Sequence, residues 1–244
     1  MMQTVLVTGA AAGLGNVIAG HLLEQGFQVV LTDVDAARAQ AAAETLDSDR
    51  VLAMGLDICR PDDFTRALSA TEARFGSLQV LVNNAALTLA TPVMDITVDE
   101  FDRVMTTNLR GTFVGCQTMG RYFARRGYGR IINLASLAGQ NGGTASGAHY
   151  AASKGGILTL TKIFARELAK SGVTVNAIAP GPIDSPAVHA LVPEEKLAGL
   201  LQMIPVGALG EAEFVARAVA LLADQQASFV TGATWDINGG LFMR

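Results

Sequence analysis

The chain has 244 residues, half of them hydrophobic and 16% charged, with a net charge of −4. Such length and apolar content exclude a largely disordered chain, and the acidic balance excludes a nucleic-acid clamp, because phosphate binding rests on Lys and Arg. Two cysteines, Cys59 and Cys116, are too few for a disulfide framework, no basic leader precedes the first strand, and no apolar run nears the ~18 residues of a membrane span, so a soluble cytoplasmic protein is expected.

Apolar, Val- and Ile-rich runs predict strands at residues 4–8, 28–32, 51–56, 80–82, 130–134, 173–179 and 234–237. Each is nearly continuous in hydrophobicity, as a strand covered on both faces requires. Helical stretches lie between them, at 14–25, 36–46, 61–75, 98–126, 149–171 and 211–223. Alternation of this kind predicts an α/β fold: a single-domain, Rossmann-like, doubly wound sheet of seven mostly parallel strands with helices on both faces. No linker divides residues 1–244. The Pro-rich connection after the sixth strand breaks the rhythm, and about 183–208 is expected to form a substrate lid.

The first strand runs into Thr8-Gly9-Ala10-Ala11-Ala12-Gly13-Leu14-Gly15. Gly9 permits the sharp exit, Gly13 lets backbone approach a pyrophosphate, and Gly15 lets the helix pack on the sheet. The helix N-terminus, from Ala12 through Leu14, offers free N–H groups to the anion. Asp33 ends the second strand, where a carboxylate accepts ribose hydroxyls and repels a 2′-phosphate. With Ala12 and Val34 apolar and Arg38 expected to face solvent, NAD is the expected cofactor and NADP the lesser one. Asp57 and Ile58 close the third strand beside the adenine.

Further on, the fifth strand ends near Ser136, Tyr150 and Lys154 stand four apart on one helix face, and Asn108 lies within the 98–126 helix. Thr8–Gly15, Asn83-Asn84-Ala85-Ala86, Asn108, Ser136, Tyr150-Ala151-Ala152-Ser153-Lys154, Pro180-Gly181 and Asn238-Gly239-Gly240 together resemble the short-chain dehydrogenase/reductase family over effectively the whole chain.

That resemblance implies an oxidoreductase interconverting a secondary alcohol and a ketone. A tyrosine of ordinary pKa near 10 is nearly all protonated at neutral pH, and the Lys154 ammonium and the positive nicotinamide ring together are expected to lower it. Tyr150 then serves as general acid or base, while Ser136 holds the substrate oxygen. The resemblance further assigns Lys154 to the nicotinamide ribose, Asn108 to a proton-relaying water, Asn84 and Ala85 to the cofactor, and Pro180, Gly181, Ile183 and Ser185 to the nicotinamide. Ser185 replaces the family's usual Thr, and Ala86 its usual Gly. Leu87, Leu137, Asn141, Pro182 and His189, with the segment 188–191, are expected to border the substrate.

An alternative is a 3-oxoacyl reductase acting on carrier-protein or CoA thioesters, and a further one is a non-catalytic NAD-binding regulator. His21, His149 and His189 lack metal-ligand spacing, so no metal is expected. His149 is expected to point away from the site. The small and apolar residues of the two long helices, including Gly111, Gly115, Gly120, Gly155 and Gly156, predict a homodimer or homotetramer.

Overall fold

The computed structural model describes residues 2–143, 146–185, 188–189 and 194–244. Thr144 and Ala145 before Tyr150, and Pro186, Ala187 and residues 190–193 of the expected lid, lie outside the described residues.

Seven strands form one parallel sheet: β1 (Thr4–Val7), β2 (Gln28–Asp33), β3 (Val51–Gly55), β4 (Val80–Asn83), β5 (Gly129–Leu134), β6 (Val173–Pro180) and β7 (Thr234–Ile237). Their order is β3-β2-β1-β4-β5-β6-β7. Alternate residues of each central strand enter opposite cores, which is why the runs are apolar without a polar phase. Val5 and Val7, Val80 and Val82, and Ile132 face one core. Leu6, Leu81 and Ile131 face the other. The first core is roofed by α1 (Gly13–Glu24) and α9 (Ala212–Ala223); the second packs under α3 (Pro61–Phe75), α5 (Gly111–Arg126) and α7 (Ala148–Leu168). Other helices among the described residues are α2 (Ala36–Leu46), α4 (Val98–Met105), a single turn α6 (Ala138–Asn141) and α8 (Glu194–Met203).

The strand order reverses between β1 and β4, so the crevice at their carboxyl ends is the natural ligand site. The predicted 98–126 helix is interrupted: α4 and α5 are joined by a π-helical turn, Thr106–Arg110. Such turns carry one extra residue and often sit at functional sites. This one holds Asn108. Among the described residues no helix is long and apolar enough to cross a membrane.

Candidate active site

One cavity of about 1380 Å³ runs along the carboxyl ends of the strands. Its floor at one end is the glycine loop. Gly9 and Gly13 adopt φ of +63° and +56°, a region costly to side-chain-bearing residues. A Cβ on Gly13 would meet nothing within 4 Å, whereas one on Gly15 would collide with Asn84 and the Gly9 carbonyl. Ala12 precedes α1 without a side-chain cap, so the first-turn N–H groups stay free for an anion.

The loop is braced from β4. Thr8 Oγ1 accepts from the amides of Asn84 (3.0 Å) and Ala85 (3.1 Å), and Asn84 Nδ2 donates to the Thr8 and Gly9 carbonyls. Asp33 accepts from the Ala11 amide at 3.4 Å and the Asp35 amide at 3.2 Å. Asp57 accepts from the Cys59 amide, while Ile58 packs against Gly111. Gly9, Ala12, Gly13, Leu14, Gly15, Asp33, Asp57, Ile58, Asn84 and Ala85 all line the cavity. An uncapped helix start, an open glycine floor and a carboxylate-lined far end fit a dinucleotide.

Ser136, Tyr150 and Lys154 line the other end, with Pro180, Gly181, Ile183 and Ser185. β5 delivers Ser136 just past its end, and the first two turns of α7 carry Tyr150 and Lys154. The Lys154 side chain is buried, donates to the Leu134 carbonyl at 2.6 Å, and lies 5.6 Å from the centre of the Tyr150 ring. Burial takes its pKa down to about 8. The phenol departs from expectation. Burial pushes the Tyr150 pKa up, and only hydrogen bonding from Ser136 and Thr88 opposes this. The Lys154 nitrogen, 5.6 Å from the ring centre, is not among the causes that set it.

Asn108 is fully buried behind the cavity wall. Its Oδ1 accepts the Leu87 amide at 2.7 Å, and its Nδ2 donates to the Leu87 carbonyl and to Ser153 Oγ. Ser153 Oγ donates in turn to the Tyr150 carbonyl. Both amide hydrogens are therefore spent on protein. The Ser185 hydroxyl donates to the Ile183 carbonyl at 3.2 Å.

The expected substrate residues separate. Leu87 lines the cavity; Leu137, Asn141, Pro182 and His189 do not. Asn141 accepts the Gly143 amide and closes its own turn, the Pro182 carbonyl accepts from Gly210, and His189 pairs with Asp184 at 2.7 Å. Val188 does line it, while Ala190 and Leu191 lie outside the described residues. Thr88, Arg103, Thr107, Asp184 and Glu213 also line the cavity and carry no motif that sequence reading could use. His149 is the larger surprise. It does not line the cavity, yet it is fully buried and its ring bonds Glu100.

The sequence of residues 9–242 matches a family model described as Enoyl-(Acyl carrier protein) reductase. The chain is 39% identical over 241 residues to the 3-oxoacyl-(acyl-carrier-protein) reductase FabG of Vibrio cholerae serotype O1, covering 99% of this chain and 98% of that protein. It is 38% identical over 246 residues to the same-named reductase of Staphylococcus epidermidis, covering all of both. Against that of Escherichia coli K12 the identity is 37% over 243 residues, 99% and 98% of the two chains.

These relatives are NADPH-dependent, which overturns the expectation of NAD as the main cofactor. Arg38, set aside as facing solvent, is exposed but lines the same cavity as Asp33. One carboxylate beside a cation does not exclude a 2′-phosphate. With its glycine loop, its Ser136–Tyr150–Lys154 end and its full-length kinship, the chain belongs to the short-chain dehydrogenase/reductase family, oxidoreductases acting on CH–OH and keto groups.

Proposed function

We propose that the chain reduces the ketone of a 3-oxoacyl thioester to a hydroxyl. The observation that carries this reading is the meeting of Ser136 and Tyr150 at one end of a cavity whose other end is the glycine loop. Kinship with 3-oxoacyl reductases supports the substrate class. The family model's description names reduction of an enoyl group instead. Two hydroxyls facing one point suit a ketone, whose oxygen takes a proton as hydride reaches its carbon, whereas a C=C bond has no oxygen on the reacting carbon.

In this reading Ser136 donates to the ketone oxygen and Tyr150 gives it its proton. A raised phenol pKa keeps Tyr150 protonated, the form that reduction needs. Lys154 has one hydrogen on Leu134 and others for the nicotinamide ribose. Gly9, Ala12–Gly15, Asp33, Asp57, Ile58, Asn84 and Ala85 hold the dinucleotide, with Pro180, Gly181, Ile183 and Ser185 at the nicotinamide. When bound, the dinucleotide supplies the hydride. Asn108 holds the wall that carries Leu87, and the described residues after β6 that line the cavity, Ile183, Asp184, Ser185 and Val188, border the acyl group.

Acetoacetyl thioesters of a carrier protein and of CoA, assayed by NADPH consumption, test the reading. Turnover of either that is lost in Y150F supports it; faster turnover of crotonyl thioesters, or full activity of Y150F, overturns it.

For assembly, we propose that α5 and α7 pair across a two-fold axis, with β7 making a second contact that completes a tetramer. A groove lined by Met105, Leu109, Phe113, Gly156 and Leu160 supports this, with Phe113 and Ile163 exposed beside it. Most of the helix glycines serve the interior instead: Gly111 faces Ile58, Gly115 faces Asn83, Gly120 faces Leu168 and Gly155 faces Gly139. A cytoplasmic location suits the free thiols of Cys59 and Cys116.

A further inference from the structure

His149 is 0% exposed and stands one residue before Tyr150. Its Nδ1 accepts the Tyr150 amide at 2.9 Å, in the first turn of α7, where amides have no intrahelical partner. Its Nε2 lies 2.8 Å from Glu100 Oε1 on α4. Because Nδ1 accepts, the neutral ring carries its proton on Nε2 and donates it to the carboxylate. Glu100 is fixed in turn. Hydrogen bonds from Thr91 and then His149 hold its carboxyl below the ordinary range.

The space is built around this ring. Any Cβ on Gly147 would strike His149 Cε1 and Nδ1, and the Gly147 amide donates to the Leu89 carbonyl at 2.8 Å. α4, the loop after β4 and the start of α7 are thus joined at one imidazole.

We propose that His149, oriented by Glu100, is a positioning residue for Tyr150: its neutral ring seats the Tyr150 amide and so places the phenol against the ketone oxygen. This rests on Tyr150 acting as proposed above. A side chain without an acceptor at this place leaves the Tyr150 amide unpaired and the phenol free to shift. The charged and titratable groups around the ring are Glu100 and, beside it, Arg103 on α4, and Tyr150 on α7; the loop after β4 offers the neutral Leu89 and Thr91.

The test measures kcat and KM for acetoacetyl thioester in the wild type, H149F, H149N, E100A and H21N, with circular dichroism checking the fold. H149F is expected to lower kcat by roughly 10–100-fold, as displacement of a reacting group by about 1 Å does, with KM changed far less. H149N, whose amide oxygen can accept the Tyr150 amide in place of Nδ1, is expected to recover kcat towards the wild type, and E100A, which removes the partner that orients the ring, to lower kcat with KM changed far less. H21N, remote from the site, keeps the wild-type values. Wild-type kcat in folded H149F, or no recovery in H149N, overturns the proposal. Should H149F fail to fold, E100A decides alone, and wild-type kcat there overturns the proposal. Activity surviving in Y150F would instead overturn the underlying assignment of the acid.

Discussion

The Lys154 side-chain nitrogen reaches the Leu134 carbonyl oxygen at 2.6 Å inside the protein, with no carboxylate among the causes that set its pKa. A buried cation held by one carbonyl is a stored cost. Burial takes its pKa from 10.5 to about 8, a gap equivalent to about 3 kcal/mol. K154M is expected to unfold at higher urea concentration than the wild type at neutral pH, by roughly 1 kcal/mol once the lost hydrogen bond is set against that gain, while losing turnover. The pH sign follows from linkage. Between about 8 and 10.5 the unfolded chain keeps the proton that the folded one sheds, so wild-type stability rises with pH there and the advantage of K154M shrinks. Urea titrations of both proteins on either side of about pH 8 measure it.

Asn108 makes three side-chain hydrogen bonds, two of them to Leu87. N108A leaves the Leu87 amide and carbonyl without these partners inside the wall of the site. A loss of about 2–4 kcal/mol in stability is expected, with a fall in kcat. Thermal denaturation alongside steady-state kinetics checks both, and a melting curve like the wild type's would contradict the bracing role.

Gly15 has no room for a methyl group between Asn84 and the Gly9 carbonyl. G15A is expected to displace the loop and weaken NADPH binding at least about tenfold, or ~1.4 kcal/mol. Calorimetric titration reads this without any turnover.

Arg130 is 2% exposed, stacks on Tyr128 at 4.5 Å, and donates to the Asp224, Gln225 and Gly129 carbonyls. It sits at the start of β5, the far end of the strand from Ser136. R130M is expected to cost about 2–4 kcal/mol, because those carbonyls lose their donor, and to leave kcat unchanged in the folded protein.

The sheet and its helices were legible because buried parallel strands read as continuous apolar runs, and Thr8–Gly15, Ser136, Tyr150 and Lys154 because their chemistry forces residue type and spacing together. The π turn was not: Thr106–Arg110 has no composition of its own, and small or apolar residues on more than one face of 98–126 hide the shift in pattern that one extra residue makes. His149 was missed because its meaning lies in Glu100, 49 positions away. Of the two charges expected to lower the Tyr150 pKa, Lys154 is not among the causes that act on it, because adjacency of a lysine on a helix face does not tell where its charge is held: here it is at the Leu134 carbonyl. Leu137, Asn141, Pro182 and His189 stand near the site in sequence, but none lines the cavity: the Asn141 side chain closes its own turn, the Pro182 carbonyl accepts from Gly210 and the His189 ring pairs with Asp184. The cofactor expectation rests on Asp33 with Arg38 turned to solvent, whereas Arg38 is exposed and still lines the cavity.

The π turn absorbs one residue beyond ordinary winding, so α4 and α5 continue on either side without the ~100° rotation that an extra residue would impose on a regular helix. Excising one residue from Thr106–Arg110 would therefore leave both flanks near their places while the wide turn closes and Asn108 is drawn off Leu87. The surplus residue serves the catalytic wall and not the outer helix face, so a deletion here would damage the wall and spare the groove beside Phe113.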